Sequence, residues 1–154
     1  DPISGDVLLW GRNSRLDNLQ AVFLNHQFQN YENVIKRRRE IATIYEGRLI
    51  DIPQIKLPPR IDCSPDHFDI FQNYEIEAEK RNELKKYLHD NGIGTLIQWG
   101  GKGIHQFKKL GYDYSLPVTE KIFNKMLLIP INMTINNEEV NYVCDKIISF
   151  YKTN

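Results

Sequence analysis

The residues with the greatest chemical reach stand in two polar stretches. WGGKGIHQF, Trp99 to Phe107, sets an indole, the ammonium of Lys102 and the imidazole of His105 within one glycine-rich segment. Such a set can read a planar ring and its charged substituent, because the indole offers a stacking face, the ammonium a point charge and the imidazole a donor and an acceptor. The alternative is a surface turn with a half-buried tryptophan. A nucleotide-binding P-loop is disfavoured: the glycine spacing differs, and no Ser or Thr follows Lys102 to hold Mg²⁺. GRNSRLDNLQA, residues 11–21, crowds Arg12, Asn13 and Arg15 onto the entrance of an apolar-periodic segment. Ser14 and Asp17, three residues apart, predict a capping pair. That leaves both arginines and Asn13 without a local structural duty.

Other candidates are weaker. KRRRE, Lys36 to Glu40, could bind a nucleic-acid backbone, but a charge run on a helix with an apolar stripe reads first as a solvated or subunit-contact face. His26, His67, His89 and His105 show no paired metal-ligand spacing, so no metal site is expected. Asn132-Met133-Thr134 has the form of a glycosylation sequon and is read as accidental, without a secretion signal beside it. Neither a nucleophile elbow nor a Cys/His pair is present.

These side chains need a scaffold. The chain has 154 residues, 41% of them hydrophobic, enough for one domain with a real core. Lys+Arg 20 balance Asp+Glu 20, which argues against binding nucleic acid or an anionic membrane as the main role. No segment reads as a membrane span. Cys63 and Cys144 lack ligand spacing and point to a reducing compartment, the cytoplasm. The chain opens on Asp1-Pro2, and is expected to be a piece of a longer protein.

Leu16, Leu19 and Phe23, then Tyr31, Val34, Ile41, Tyr45 and Leu49, recur at helical steps and predict two helices meeting near Gln29 and Asn30. Residues 50–67, rich in proline, read as a long connection. Alternation from Phe68 to Ala78 predicts a strand. RNELKKYLHDNG predicts a short helix ended by Gly92 in the left-handed conformation. Ile93 to Gln98 and Met126 to Ile129 are further strand candidates, the latter stopped by Pro130. Between them Ser115 is expected to cap a helix with Pro117 in its first turn. Asn136 and Glu139 form a capping pair before the apolar stripe Val140, Val143, Cys144, Ile147, Ile148 and Tyr151, which must dock on a sheet. Interleaved helices and few strands predict an α/β fold, a two-layer sandwich with a small, mostly antiparallel sheet.

Taken in order, G-x-N-x-R at Gly11, Asn13 and Arg15, Leu16, Gln20-Ala21, IKRRREIATIYEGRL, RNELKKYLHDNGIGT and LPVTEKIFNKMLLIPINM resemble the carboxyl-terminal part of the DegT/DnrJ/EryC1/StrS family, aminotransferases that use pyridoxal phosphate on nucleotide-linked keto sugars. The resemblance implies the small domain of a fold-type I aminotransferase, with residues 1–15 a linker and interface loop and 16–154 the domain. It implies a homodimer, a cytoplasmic enzyme of amino-sugar or polysaccharide biosynthesis, and an amino donor, usually glutamate, whose nitrogen reaches the keto sugar through the cofactor. It places Asn13 on the cofactor phosphate of the partner subunit, and makes Arg15, Trp99, Lys102 and His105 candidates for substrate contact. The lysine that carries the cofactor belongs upstream, so no catalytic residue is expected here, and this chain alone is expected to be inactive. Two alternatives stand beside this reading: a sugar dehydratase on the same scaffold, with histidine in place of that lysine, and a free-standing binding module.

Overall fold

The structure is a computed structural model and describes Val7, Gly11 and residues 16–112 and 114–153. Two helices open it, α1 (Asn18–Phe28) and α2 (Tyr31–Leu49), meeting at Gln29 and Asn30 as their apolar spacing requires. Then come β1 (Ile55–Lys56), β2 (Tyr74–Ala78), α3 (Arg81–Asp90), α4 (Pro117–Lys125), β3 (Met126–Ile129) and α5 (Asn137–Thr153). The sheet runs β1-β2-β3, antiparallel throughout, with Ile55 opposite Ala78, Ile76 opposite Leu127 and Tyr74 opposite Ile129.

This register decides the two faces. Tyr74, Ile76 and Ala78 share one side of the pleat with Leu127 and Ile129, and all five belong to one buried cluster. Ile41, Ala42, Tyr45 and Leu49 of α2, Leu84 and Leu88 of α3, and Val140, Val143, Cys144, Ile147 and Phe150 of α5 complete it. Tyr45 packs its ring 5.0 Å from that of Tyr74, tilted by 48°, and donates its hydroxyl to the carbonyl of Pro130 at 2.6 Å. Burial holds this phenol far above its ordinary pKa, so it remains a donor. The Cys144 thiol is pushed up to about 12 by the same burial. On the opposite side Met126 and Leu128 are also buried, opposite Glu77 and Glu75 in the register.

Several expectations shift. β1 lies inside the stretch expected to be connection. Phe68 to Asn73 does not extend the strand: Phe71 has φ 50°, its side chain is buried, and Phe68 is exposed. Ile93 to Gln98 contributes only a single bridge, Leu96 to Leu128, its two backbone hydrogen bonds 2.8 and 3.1 Å long. The α4 N-cap is Leu116, not Ser115, with Pro117 next as expected. Gly92 takes φ 78°, and Asn136 and Glu139 exchange hydrogen bonds of 2.9 Å, both as expected. Asp17 precedes α1 and donates its N–H to Gln20 Oε1 at 3.0 Å, while Ser14 lies outside the described residues. α5 docks chiefly beside α2 and α3, reaching the sheet through side chains.

The arginine run corrects the expectation of a solvated face. Successive helical residues point about 100° apart, so the run reaches both the residues at the start of α5 and those leading into β2. Arg37 donates to the Ile135 carbonyl and the Asn137 side chain, both at 2.8 Å. Arg38 donates to the carbonyls of Phe71 and Gln72 at 2.9 and 2.6 Å. Arg39 reaches the Asp69 carbonyl and Asp62, with Phe68 stacked 4.5 Å from its guanidinium. The run is a three-way brace.

Candidate functional site

The segment from Gln98 to Leu110 folds as three short helical turns separated by kinks. Trp99, Gly100 and Gly101 take φ of 51°, 64° and 76°, a left-handed run that two glycines permit and the tryptophan bears at a cost. Trp99 is 74% exposed. Beyond it the chain turns back and His105 plugs into the interior at 6% exposure. Its Nε2 lies 3.1 Å from Glu120 Oε1, and that same oxygen accepts the Leu116 N–H at 3.1 Å. Glu120 therefore ties the loop to the first turn of α4. Hydrogen bonds from the Leu116 backbone and then from His105 hold its carboxyl below the usual carboxylate range. At the far end of α4, Arg81 donates to the carbonyls of Phe123 and Met126, fixing the helix that carries Glu120.

Gly103 explains how His105 fits. A Cβ there would stand 2.6 Å from imidazole Cε1 and 2.8 Å from Nδ1, so only glycine lets the ring lie against the backbone. The Gly103 N–H donates to Gln106 Oε1 at 2.8 Å, closing the turn. The resulting pocket, about 540 Å³, is lined by Lys102, His105, Gln106, Lys108, Tyr112, Tyr114 and Glu120.

Lys102 and His105 are thus brought together, but Trp99 is not part of the pocket lining. Asn13 and Arg15, with Arg12, fall outside the described residues. Sequence reasoning passed over Lys108, Tyr112, Tyr114 and Glu120. Only Glu120 carried a local signal, an acid in the first turn of a helix, and that signal speaks of capping. Asn132, of the sequon, spends its side-chain oxygen on the N–H groups of Thr134 and Ile135 and on the Thr134 hydroxyl, a local turn. Among the described residues no group of three or more His, Cys, Asp or Glu could hold a metal ion.

Residues 2–148 match the DegT/DnrJ/EryC1/StrS aminotransferase family. The chain belongs to that family. It is 32% identical over 148 residues to the pleiotropic regulatory protein of Geobacillus stearothermophilus, covering 92% of this chain and 39% of that protein. Against the dTDP-3-amino-3,6-dideoxy-alpha-D-galactopyranose transaminase of Aneurinibacillus thermoaerophilus it is 31% identical over 144 residues, 91% of this chain and 38% of the relative. The solved structure of DesV from S. venezuelae superposes with a TM-score of 0.82 at 27% identity, over 92% of this chain and 38% of that one. This family member therefore spans less than half the length of the curated relatives it matches. The sheet and helices are those of an α/β small domain in such an aminotransferase.

Pyridoxal phosphate, the cofactor the family implies, does not fit the pocket described above. Its ring nitrogen needs a carboxylate partner, and Glu120, the one carboxylate among the described lining residues, is committed to the Leu116 N–H and His105. Lysines could meet the phosphate, but nothing among the described lining residues completes the ring site.

Proposed function

We propose that residues 16–154 are the carboxyl-terminal domain of an aminotransferase that moves nitrogen from glutamate to a nucleotide-linked keto sugar, with residues 1–15 forming the connection and interface loop. The observation that carries the reading is the match of residues 2–148 to an aminotransferase family, joined to a relative whose printed activity is a sugar transamination. Pyridoxal phosphate would supply the electron sink of this chemistry, held by the larger part of the enzyme.

This chain's residues orient and enclose. Asn13 is assigned to the cofactor phosphate of the neighbouring subunit in a homodimer, a neutral donor that adds no charge. Arg15 and Trp99 are assigned to substrate, Trp99 on the strength of its exposure and strained backbone. Lys102 faces the same ligand from the pocket wall, and His105 supports that wall from beneath. The exposed apolar surface of α1, namely Leu19, Val22, Phe23 and Phe28, is assigned to contact with the rest of the enzyme. A cytoplasmic location follows from the substrates, glutamate and a nucleotide sugar.

The test is to supply the intact protein with glutamate and nucleotide-linked keto sugars. Formation of 2-oxoglutarate and an aminated sugar, dependent on both substrates, is the expected result, with none from the 154-residue chain alone. Loss of water from the sugar without nitrogen transfer would overturn the assignment. Asn13→Ala should weaken cofactor retention by about 1.5 to 3 kcal/mol. Mixing this variant with a subunit lacking the catalytic lysine should restore part of the activity, because only one of the two sites then collects both defects.

A further inference from the structure

An asparagine stands directly before a glycine once in the sequence, at Asn91-Gly92, and there it closes α3. That pair is chemically reactive in water. Glycine has no side chain to shield its backbone nitrogen and leaves the chain free to rotate, so the nitrogen can attack the neighbouring carboxamide. A bond forms between Gly92 N and Asn91 Cγ, the bond from Cγ to Nδ2 breaks, the amide proton passes through solvent to the departing nitrogen, and ammonia leaves. Water then opens the five-membered imide at one carbonyl or the other, giving aspartate or isoaspartate.

The fold holds the participants in this reaction apart. Asn91 Nδ2 donates to the Tyr87 carbonyl at 2.8 Å, which draws the carboxamide back along the helix. Asn91 has ψ 16° and Gly92 has φ 78°. Ring closure requires the peptide plane between them to swing far from this near-helical setting, and that plane is pinned at both ends. Its N–H donates to the His89 carbonyl at 2.9 Å, and its carbonyl accepts the Tyr142 hydroxyl of α5 at 3.1 Å. Water is not what is lacking: Gly92 is exposed and lines an open cleft of about 430 Å³ with Gly94, Asn132, Glu139 and Tyr142. The barrier is conformational, and it stands at a helix end, where local opening is easiest.

We infer that Asn91-Gly92 is a self-modification site, an asparagine that loses ammonia to its own backbone and takes up water when the end of α3 opens, with the Tyr142 hydroxyl as its seal. The change is one-way. Aspartate at position 91 adds negative charge beside Asp90 at the carboxyl end of the helix, where the dipole disfavours it, and removes the donor to Tyr87. Isoaspartate lengthens the backbone by one carbon, so the Gly92 and Ile93 N–H groups lose their register with His89 and Leu88. The segment that follows carries the Leu96 bridge to β3 and then Trp99, so the damage runs toward the candidate site.

The experiment incubates the intact protein in warm, mildly alkaline buffer and follows aspartate and isoaspartate at position 91 by peptide mass spectrometry, beside a synthetic peptide of residues 86–97. The folded protein should convert at least about tenfold more slowly than the peptide, because several hydrogen bonds must open first. Tyr142→Phe should speed conversion by about fivefold, the loss of one such bond. That variant removes a single hydroxyl from a half-exposed ring, and matching thermal unfolding would verify its fold. In the wild-type protein, conversion should rise with mild urea in step with hydrogen exchange at the Gly92 amide. Equal rates in protein and peptide, or an unchanged rate in Tyr142→Phe, would overturn the seal. Gly92 exchange that reports opening while position 91 stays asparagine would overturn the modification site itself.

Discussion

α1 and α2 are separated by two residues and stand in opposite relations to the core. α1 carries no Asp, Glu, Lys or Arg, and Leu19, Val22, Phe23, Leu24 and Phe28 project from it in several directions, yet it buries nothing. α2 is studded with charge through Glu32, Lys36, Arg37, Arg38, Arg39, Glu40, Glu46 and Arg48, yet Ile41, Ala42, Tyr45 and Leu49 reach the deepest layer. Apolar content therefore does not decide burial within this chain; arrangement does. On α2 the apolar residues form a stripe that one layer can cover, and the arginines find backbone carbonyls around it. α1 is apolar on several sides, and such a helix is satisfied only when enclosed from more than one direction. The chain supplies no such enclosure among its described residues.

Substitution can break this contrast. The largest effect is expected at Tyr45: replacement by alanine should cost the chain about 3 to 5 kcal/mol, read by chemical denaturation. Tyr45→Phe should cost only about 1 kcal/mol, the loss of the bond to Pro130. Arg38→Met comes next, because it leaves the Phe71 and Gln72 carbonyls without their donor. A loss of about 1 to 3 kcal/mol is expected, with faster amide exchange confined to the segment before β2. If Arg38→Met proved silent, the arginine run would be a surface feature after all.

On α1 the paired change Phe23→Ser and Phe28→Ser should alter the stability of the isolated chain by no more than about 0.5 kcal/mol. The same pair should greatly lower the solubility or assembly of the intact protein. A strong destabilisation of the isolated chain would mean that α1 packs on its own domain. The smallest effect is expected at Glu75, whose carboxyl is raised above its ordinary pKa first by burial and then by Glu77. A raised carboxylate destabilises the fold where it is ionised, and the contribution is relieved as pH falls through the folded value and then the unfolded one. Glu75→Gln should thus raise the melting temperature at pH 7 by less than about 2 °C, since water screens a partly exposed group. That gain should vanish below about pH 4.

The helices, their caps at Asn136 and Gly92, the alternation through β2 and the family resemblance were all legible along the chain, because each depends on residues within a turn or two of one another or on ordered motifs. The sequence likewise marked Lys102 and His105 as chemically capable. It could not assign their roles: that His105 is buried and Lys102 exposed follows from Glu120, fifteen residues on, reaching back across the loop. The strand expected from Phe68 also failed for a tertiary reason, since Arg38 captures the carbonyls of Phe71 and Gln72 where a sheet partner would have been needed. β1 was hidden because two residues show no periodicity, and only Ala78 and Glu77 opposite them make a strand. Periodicity and capping are local and survive in the linear text. Which charges are spent on the fold and which are left for a ligand depends on partners distant in sequence, and only the tertiary structure decides it.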